Sequence, residues 1–267
     1  MMAFMRITLV LGADGAPFAH HLQSLLDQSD RLTVVAPVVR DQWVTGLKSC
    51  PDLDGLLRPD PARVGGPAHT YGVADRLIAL GYSPGWQRPS DAALAARLIR
   101  SELLGAGYPL TGATAATATR SDVGFTLLPS SDDRAELHVV VTEDDGPRAI
   151  HVNDYLADPS THVVQDVVLV AGAWSVSSAV RDELGTTDVL ILGPSSRTLV
   201  IDPVLRTPGL LDLVADDLPV LVVEHEDDAP RALIMAAGLG EPDPGAVERV
   251  QADAAAVLNA ARKVATS

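Results

Sequence analysis

The chain is poor in several things that usually announce a function. It has a single cysteine, Cys50, so an intrachain disulfide and a cysteine-rich zinc site are both excluded. That scarcity fits a reducing compartment. Positive charge is scarce as well: 20 basic residues face 35 acidic ones, a formal net charge of −15. Such a chain repels a phosphate backbone, so nucleic acid is not an expected partner. Small anionic ligands remain open, because local charge decides binding over a few ångströms. Lysine is nearly absent, with only Lys48 and Lys263; that arginine carries the positive charge reads as the mark of a GC-rich genome, ahead of a need for bidentate phosphate contacts. No basic leader with a long apolar segment opens the sequence, and the run Ile7 to Leu11 is far too short to cross a membrane. A cytoplasmic protein is expected.

What is present is a hydrophobic fraction of 47% in 267 residues, enough for one substantial core. Arg6 to Leu11 (RITLVL) reads as a buried strand, broken by Gly12 to Gly15. Pro17 to about Gln28 reads as a helix with proline in its first turn, and Leu32 to Ala36 as a second strand. Strand, glycine-bearing turn, helix and strand make a βαβ unit, which predicts a parallel sheet. The middle reads as helical: Ala74 to Leu80, Ser90 to Gly105 and Pro109 to Thr119. In the second of these Ser90 is the expected cap, and Leu94, Leu98 and Leu103 the expected apolar stripe. Strands return at Phe125 to Leu128, Leu137 to Val141, Val164 to Val170, Val189 to Leu192 and Val220 to Val223, with a helix over Val176 to Leu184. Gly240 to Gly245 reads as a linker and Ala246 to Val264 as a terminal helix. The expected fold is α/β: one domain over 1–267, a Rossmann-like, mostly parallel sheet with helices on both faces and a helical insertion at about 60–120.

Familiar catalytic spacings do not appear. There is no His-Glu-x-x-His, no Gly-x-Ser-x-Gly elbow, and the Gly12 to Gly15 turn is too short for a dinucleotide fingerprint. His20 and His21 read as surface or boundary residues, and His225 between Glu224 and Glu226 as part of a solvated loop.

Four segments carry a family resemblance, in order along the chain. Asp41-Gln42-Trp43, then Gly46 and Cys50-Pro51-Asp52-Leu53-Asp54, resembles "GDDxW…G…PDLDT". Trp86 to Asp91, the helix after it and Gly107-Tyr108-Pro109-Leu110 resemble "WF.LGDRDLATHL.R…GYPL". Ser131-Asp132-Asp133-Arg134 with Glu136 and His138 resembles "TDDR.ETHV". Gly193-Pro194-Ser195-Ser196 with Ile201 and Pro203 to Leu205 resembles "APSNP..SI.PIL". These are motifs of the 2-phospho-L-lactate transferase (CofD-like) family, and Cys50 to Asp54 and Arg148 to His151 are similar to its actinobacterial branch.

The resemblance implies a magnesium-dependent transferase of deazaflavin-coenzyme biosynthesis. Such an enzyme moves a phospholactyl or phosphoenolpyruvyl group from a guanosine diphosphate-linked donor to a deazaflavin alcohol, releasing GMP. It implies Asp41, Asp52 and Asp54 as catalytic residues, with Asp41 and Asp54 holding the metal. It further implies Gly12, Gly15, Trp43, Asp91, Ser131, Asp132, Asp133, Arg134, Ser195 and Ser196 as substrate-binding residues, and a homodimer. From local pattern alone, Asp52 and Asp54 could equally be a turn and a helix cap, and Asp132 to Arg134 a solvated turn.

The chain departs from the family pattern mostly on the phosphate and guanosine side. The family's first loop, "GGVGGAR", here reads Gly12-Ala13-Asp14-Gly15-Ala16-Pro17. A carboxylate about 5 Å from a diphosphate charge costs about 3 kcal/mol at an effective dielectric near 20, about a hundredfold in affinity. Arg40 stands where the family has the first Asp of "GDD", and Ala92 and Ala93 replace Arg and Asp of "GDRD". "SNP" reads Ser195-Ser196-Arg197, and the late nucleotide-binding stretch is replaced by the acidic run 224–228. Arg40 and Arg197 could restore some positive charge. The alternative expectation is a catalytically inactive relative that binds ligand or partners a catalytic paralogue.

Overall fold

The computed structural model describes residues 4–57, 69–82, 87–119, 121, 123–214, 217–225, 229–237 and 247–265. Trp86, the expected linker at 240–245 and residues 226–228 of the acidic run lie outside them.

The strands in chain order are β1 (Arg6–Val10), β2 (Arg31–Ala36), β3 (Gln42–Val44), β4 (Leu47–Ser49), β5 (Thr126–Pro129), β6 (Ala135–Glu143), β7 (Gly146–His151), β8 (Val163–Ala171), β9 (Val189–Leu192), β10 (Val220–Val223) and β11 (Val247–Val250). Six of them form an all-parallel sheet in the order β11-β10-β9-β1-β2-β5. Its central strands are mostly apolar because both faces are covered: β9 and β10 are unbroken apolar runs, β1 and β2 each bury one threonine, Thr8 and Thr33, and Ile7, Leu9, Val34, Val189 and Ile191 are inaccessible to solvent. The α/β class and the mostly parallel sheet expected from the sequence are what the chain adopts.

From β1 the chain moves outward through β2 to β5, and later returns to the other side of β1 as β9, then β10 and β11. The sheet therefore reverses direction between β1 and β9. In open parallel sheets a crevice forms beyond the carboxyl ends of the strands at such a point.

A three-stranded antiparallel sheet, β7-β6-β8, stands beside the main one, and β3-β4 is a separate hairpin. The hairpin turns at Thr45 (φ 55°) and Gly46 (φ 76°). Two consecutive left-handed residues are the signature of a type I′ turn, whose twist matches that of the strands.

Helices Gly72–Ala79, Asp91–Gly105 and Leu110–Ala118 fill the described part of the middle region. Ser90 caps the second by accepting a bond from Ala93 N at 3.2 Å, as the sequence suggested. The expected leucine stripe does not hold: Leu98 is 57% exposed, whereas Arg100 is fully buried. The helix turns Leu94, Ala96 and Arg100 inward, because Arg100 finds a buried carboxylate there and a guanidinium paired through both terminal nitrogens tolerates an interior position.

The C-terminal expectation is corrected too. Val247 to Val250 pairs with β10 as the sixth strand, and the helix covers only Ala254–Val264. Asp253 stops it from starting earlier, since its carboxylate accepts Ala256 N at 2.8 Å and acts as the cap. No helix among the described residues is long and apolar enough to cross a membrane.

Candidate functional site

Every segment that follows β1, β2, β5 or β9 leaves from the carboxyl end of a parallel strand, and these segments contain most of the residues singled out above. Gly12 to Gly15 follows β1, Val38 to Asp41 follows β2, Ser130 to Arg134 follows β5, and Gly193 to Ser196 follows β9. Sequence-distant motifs are thus brought to one edge of the sheet by topology alone.

At the switch point the loops after β1 and β9 interlock. Ser195 Oγ accepts Gly12 N at 3.0 Å and donates to Asp14 Oδ1. The short helix Pro51–Leu57 presses against the same loop. A Cβ on Gly55 would lie 2.4 Å from Ala13 Cβ, so only glycine permits the approach. That contact lets Asp52 Oδ1 accept Ala13 N at 3.1 Å, with Arg40 Nη1 at 3.5 Å from the same oxygen. Arg40 also donates through Nε to Asn153 Oδ1 at 3.4 Å, and Asn153 Nδ2 returns a bond to Arg40 O at 2.8 Å.

The three aspartates implied as catalytic are all buried, but their surroundings differ. Asp54 is gripped by Arg100 at 2.6 and 3.3 Å, with Arg97 Nε at 3.8 Å. Asp52 has its Oδ1 engaged, while its Oδ2 is buried without a hydrogen bond. Asp41 lies 3.7 Å from Lys48 Nζ, and among the described residues no N–H or O–H donates to either of its oxygens, the Cys50 thiol being the only weak donor beside them. Burial pushes the Asp41 carboxyl up to about 6, against the opposing pull of Lys48, the Cys50 thiol and Arg100. Burial raises Asp52 as well, against the pull of Arg40.

Of the two residues expected to hold a metal, then, Asp41 keeps oxygens available and Asp54 is bound to arginine. Among the described residues no group of three or more His, Cys, Asp or Glu side chains is gathered to hold an ion. A magnesium ion needs only one or two protein carboxylates when substrate phosphates complete its shell, and the orphaned oxygens of Asp41 and Asp52 fit that requirement.

Trp43, Asp132, Asp133 and Arg134 share a cavity of about 180 Å³ with Lys48, Leu104 and Leu110. Trp43 is half exposed. Asp132 Oδ1 accepts Thr111 N at 2.6 Å and so anchors the helix Leu110–Ala118. Asp133 accepts from Ser175 N at 3.2 Å. Arg134 donates to Glu136 at 2.7 Å. Ser131 is fully buried and accepts Asp133 N at 3.0 Å. A neighbouring cavity of about 320 Å³ is lined by Arg40, Gln42, Arg88, Arg97 and Asn153, among others. Asp91 stands apart: it accepts Gly72 N and Val73 N, both at 3.1 Å, and caps the helix Gly72–Ala79.

The sequence reading did not single out Lys48, Arg100, Asn153 or His151. His151 is buried and accepts Asn153 N at its Nδ1 at 3.1 Å, while its Nε2 has no hydrogen-bond partner. Burial lowers it to about 4, with His138 adding to the effect and Glu136 opposing it. Two of them carried a signal, Lys48 as one of only two lysines in the chain and His151 as the end of the Arg148 to His151 segment.

A family model described as 2-phospho-L-lactate transferase CofD matches residues 8–225. A phosphoenolpyruvate transferase from Streptomyces griseus is 34% identical over 221 residues, covering 79% of this chain and 69% of that one. One from Mycolicibacterium smegmatis is 35% identical over 225 residues, covering 77% and 69%. A solved structure of protein BH3568 from Bacillus halodurans superposes with a TM-score of 0.60 at 14% identity, covering 88% of this chain and 76% of that one. A second, described as a member of the UPF0052 family, gives 0.58 with the same coverage; at this identity the likeness is one of fold. The matched region contains the loops after β1, β2, β5 and β9, and the chain belongs to the CofD family of 2-phospho-L-lactate transferase-type proteins.

Proposed function

We propose that this protein is a transferase that moves a phosphoenolpyruvyl or phospholactyl group from a guanosine diphosphate-linked donor to a deazaflavin alcohol. The observation that carries the reading is the gathering of four strand-end loops along one edge of the parallel sheet, with two buried aspartates that keep oxygens free of hydrogen bonds. The names of the relatives favour the phosphoenolpyruvyl donor.

In this reaction the alcohol oxygen bonds to the phosphorus that carries the acid, the bond from that phosphorus to GMP breaks, and the alcohol loses its proton. Such transfers depend mainly on positioning and on neutralising charge. Magnesium, held by Asp41 and Asp52, would neutralise the diphosphate. Lys48 keeps Asp41 oriented, and Arg40 does the same for Asp52. Asp54 acts through Arg100 as a positioning residue that fixes the helix Pro51–Leu57 and with it Asp52. The cavity beside Trp43, Asp132 and Arg134 offers an aromatic face and polar edges for part of the acceptor.

The test is acceptor-dependent GMP release from phosphoenolpyruvyl- and phospholactyl-linked guanosine donors. Release with either donor, reduced at least about tenfold in Asp41→Asn, supports the reading; no release with both donors overturns it.

A further inference from the structure

Asp14 does more than place a negative charge near the switch point. Its carboxylate is held by donors from both sides of that point. Oδ1 accepts Gly15 N at 2.9 Å and the Ser195 hydroxyl, and Oδ2 accepts Ser196 N at 2.8 Å. The Ser195 hydroxyl is itself held by Gly12 N at 3.0 Å. The Ser195 hydroxyl and the Ser196 amide, 181 and 182 residues away in the chain, therefore converge on the carboxylate together with the neighbouring Gly15 amide, which also bonds Gly12 O at 3.2 Å. Convergent amides at the end of a parallel strand, ahead of the helix Ala16–Leu25, are what phosphate groups commonly bind. The packing around the carboxylate is also tight. A Cβ on Gly12 would lie 3.0 Å from Asp14 Oδ1 and 2.5 Å from Val200 Cγ2.

We infer that Asp14 is a specificity-determining residue: its carboxylate is an internal substitute for a phosphate in the cradle formed by Gly15, Ser195 and Ser196, and it keeps phosphate-bearing ligands out of that subsite. The competition is intramolecular, so the carboxylate is present at a high effective concentration while a free anion must both displace it and approach its charge. As a statement about the donor, the inference rests on the transferase reading: the diphosphate binds the rest of the strand-end crevice without these three donors. As a statement about anions, it rests on the geometry alone.

The test is calorimetric titration of inorganic pyrophosphate, without added divalent metal, into the full chain and into Asp14→Ala, Asp14→Gly and Asp14→Asn. Thermal melts confirm that each variant is folded. Asn preserves the shape and one acceptor oxygen but removes the charge, so it separates occupancy from repulsion. Alanine and glycine vacate the cradle and are expected to bind pyrophosphate at least about tenfold more tightly than the parent, with asparagine gaining less. Adding Ser195→Ala to the alanine variant is expected to reduce the gain, which places the ion in the cradle. The inference is overturned when folded alanine and glycine variants bind no more tightly than the parent, or when asparagine gains as much as alanine. A gain for pyrophosphate in a protein that releases no GMP from either donor supports the inference and removes the transferase reading. GMP release with no gain in any variant does the reverse.

Discussion

Breaking the Arg100–Asp54 pair is expected to be the costliest single change at the site, and the reason lies in what it leaves behind. Arg100 is fully buried and donates to Asp54 at 2.6 and 3.3 Å and to Lys48 O at 3.3 Å. It therefore ties the helix Asp91–Gly105 both to the helix Pro51–Leu57 and to the hairpin β3-β4. Ser101 adds a second tie to that hairpin, accepting Lys48 N at 2.8 Å. Removing one member of a buried pair strands the other charge and typically costs about 3–5 kcal/mol. Against a usual total of about 5–15 kcal/mol, Arg100→Met should move the urea midpoint far down. Asp54→Asn should cost a similar amount for the opposite reason. The double variant carries no stranded charge, so its loss should fall short of the sum by at least about 2 kcal/mol. Urea unfolding followed by circular dichroism, with unchanged slope, reads all three values. Single losses below about 1 kcal/mol that simply add would refute the positioning role and return Asp54 to the ligand.

Two buried groups should give the protein opposing pH slopes. Asp41 titrates near 6 in the fold, above its unfolded value, so the folded state holds the extra proton and stability declines as pH rises from about 4 to about 6. Neutral His151 titrates near 4 in the fold, below its unfolded value, so stability declines instead as pH falls from about 6.5 to about 4. Each contributes about 2–3 kcal/mol over its window, with solvent near the imidazole reducing its share. Thermal melts between pH 4 and 7 should show Asp41→Asn gaining stability with rising pH and His151→Asn losing it; equal slopes would contradict both assignments. Gly55→Ala places a Cβ 2.4 Å from Ala13 Cβ, which should cost about 1–3 kcal/mol and weaken binding at the switch point. A variant as stable as the parent with unchanged ligand affinity would show that the loop and helix are not pressed together.

The parallel core was legible in the sequence because buried strands are short, apolar and β-branched; β1, β2, β9 and β10 stand within a residue of where the pattern put them. The strands missed were those whose signal is not hydrophobic. Lys48 occupies β4, and its hairpin turns on Thr45-Gly46 rather than the favoured Asn-Gly. β11 carries Glu248 and Arg249 and lies at the edge of the sheet. Legibility of the site was uneven in a similar way. Asp41, Asp52 and Asp54 were visible as a family pattern, but only geometry separates Asp54, engaged with Arg100, from Asp41, which keeps its oxygens. The charge of Asp14 was readable as a deterrent to phosphate. That the carboxylate turns back onto Ser195 and Ser196 was not, because those residues lie on the far side of the switch point.

A working transfer site at the strand-end loops must release GMP. Purified protein would be mixed with magnesium, a deazaflavin alcohol and a guanosine diphosphate-linked phosphoenolpyruvyl or phospholactyl donor, and GMP followed by chromatography. GMP formation is expected to require the acceptor and to drop at least about tenfold in Asp41→Asn, a loss of about 1.4 kcal/mol or more in transition-state stabilisation. GMP formation indifferent to the acceptor, or none from either donor, would contradict it.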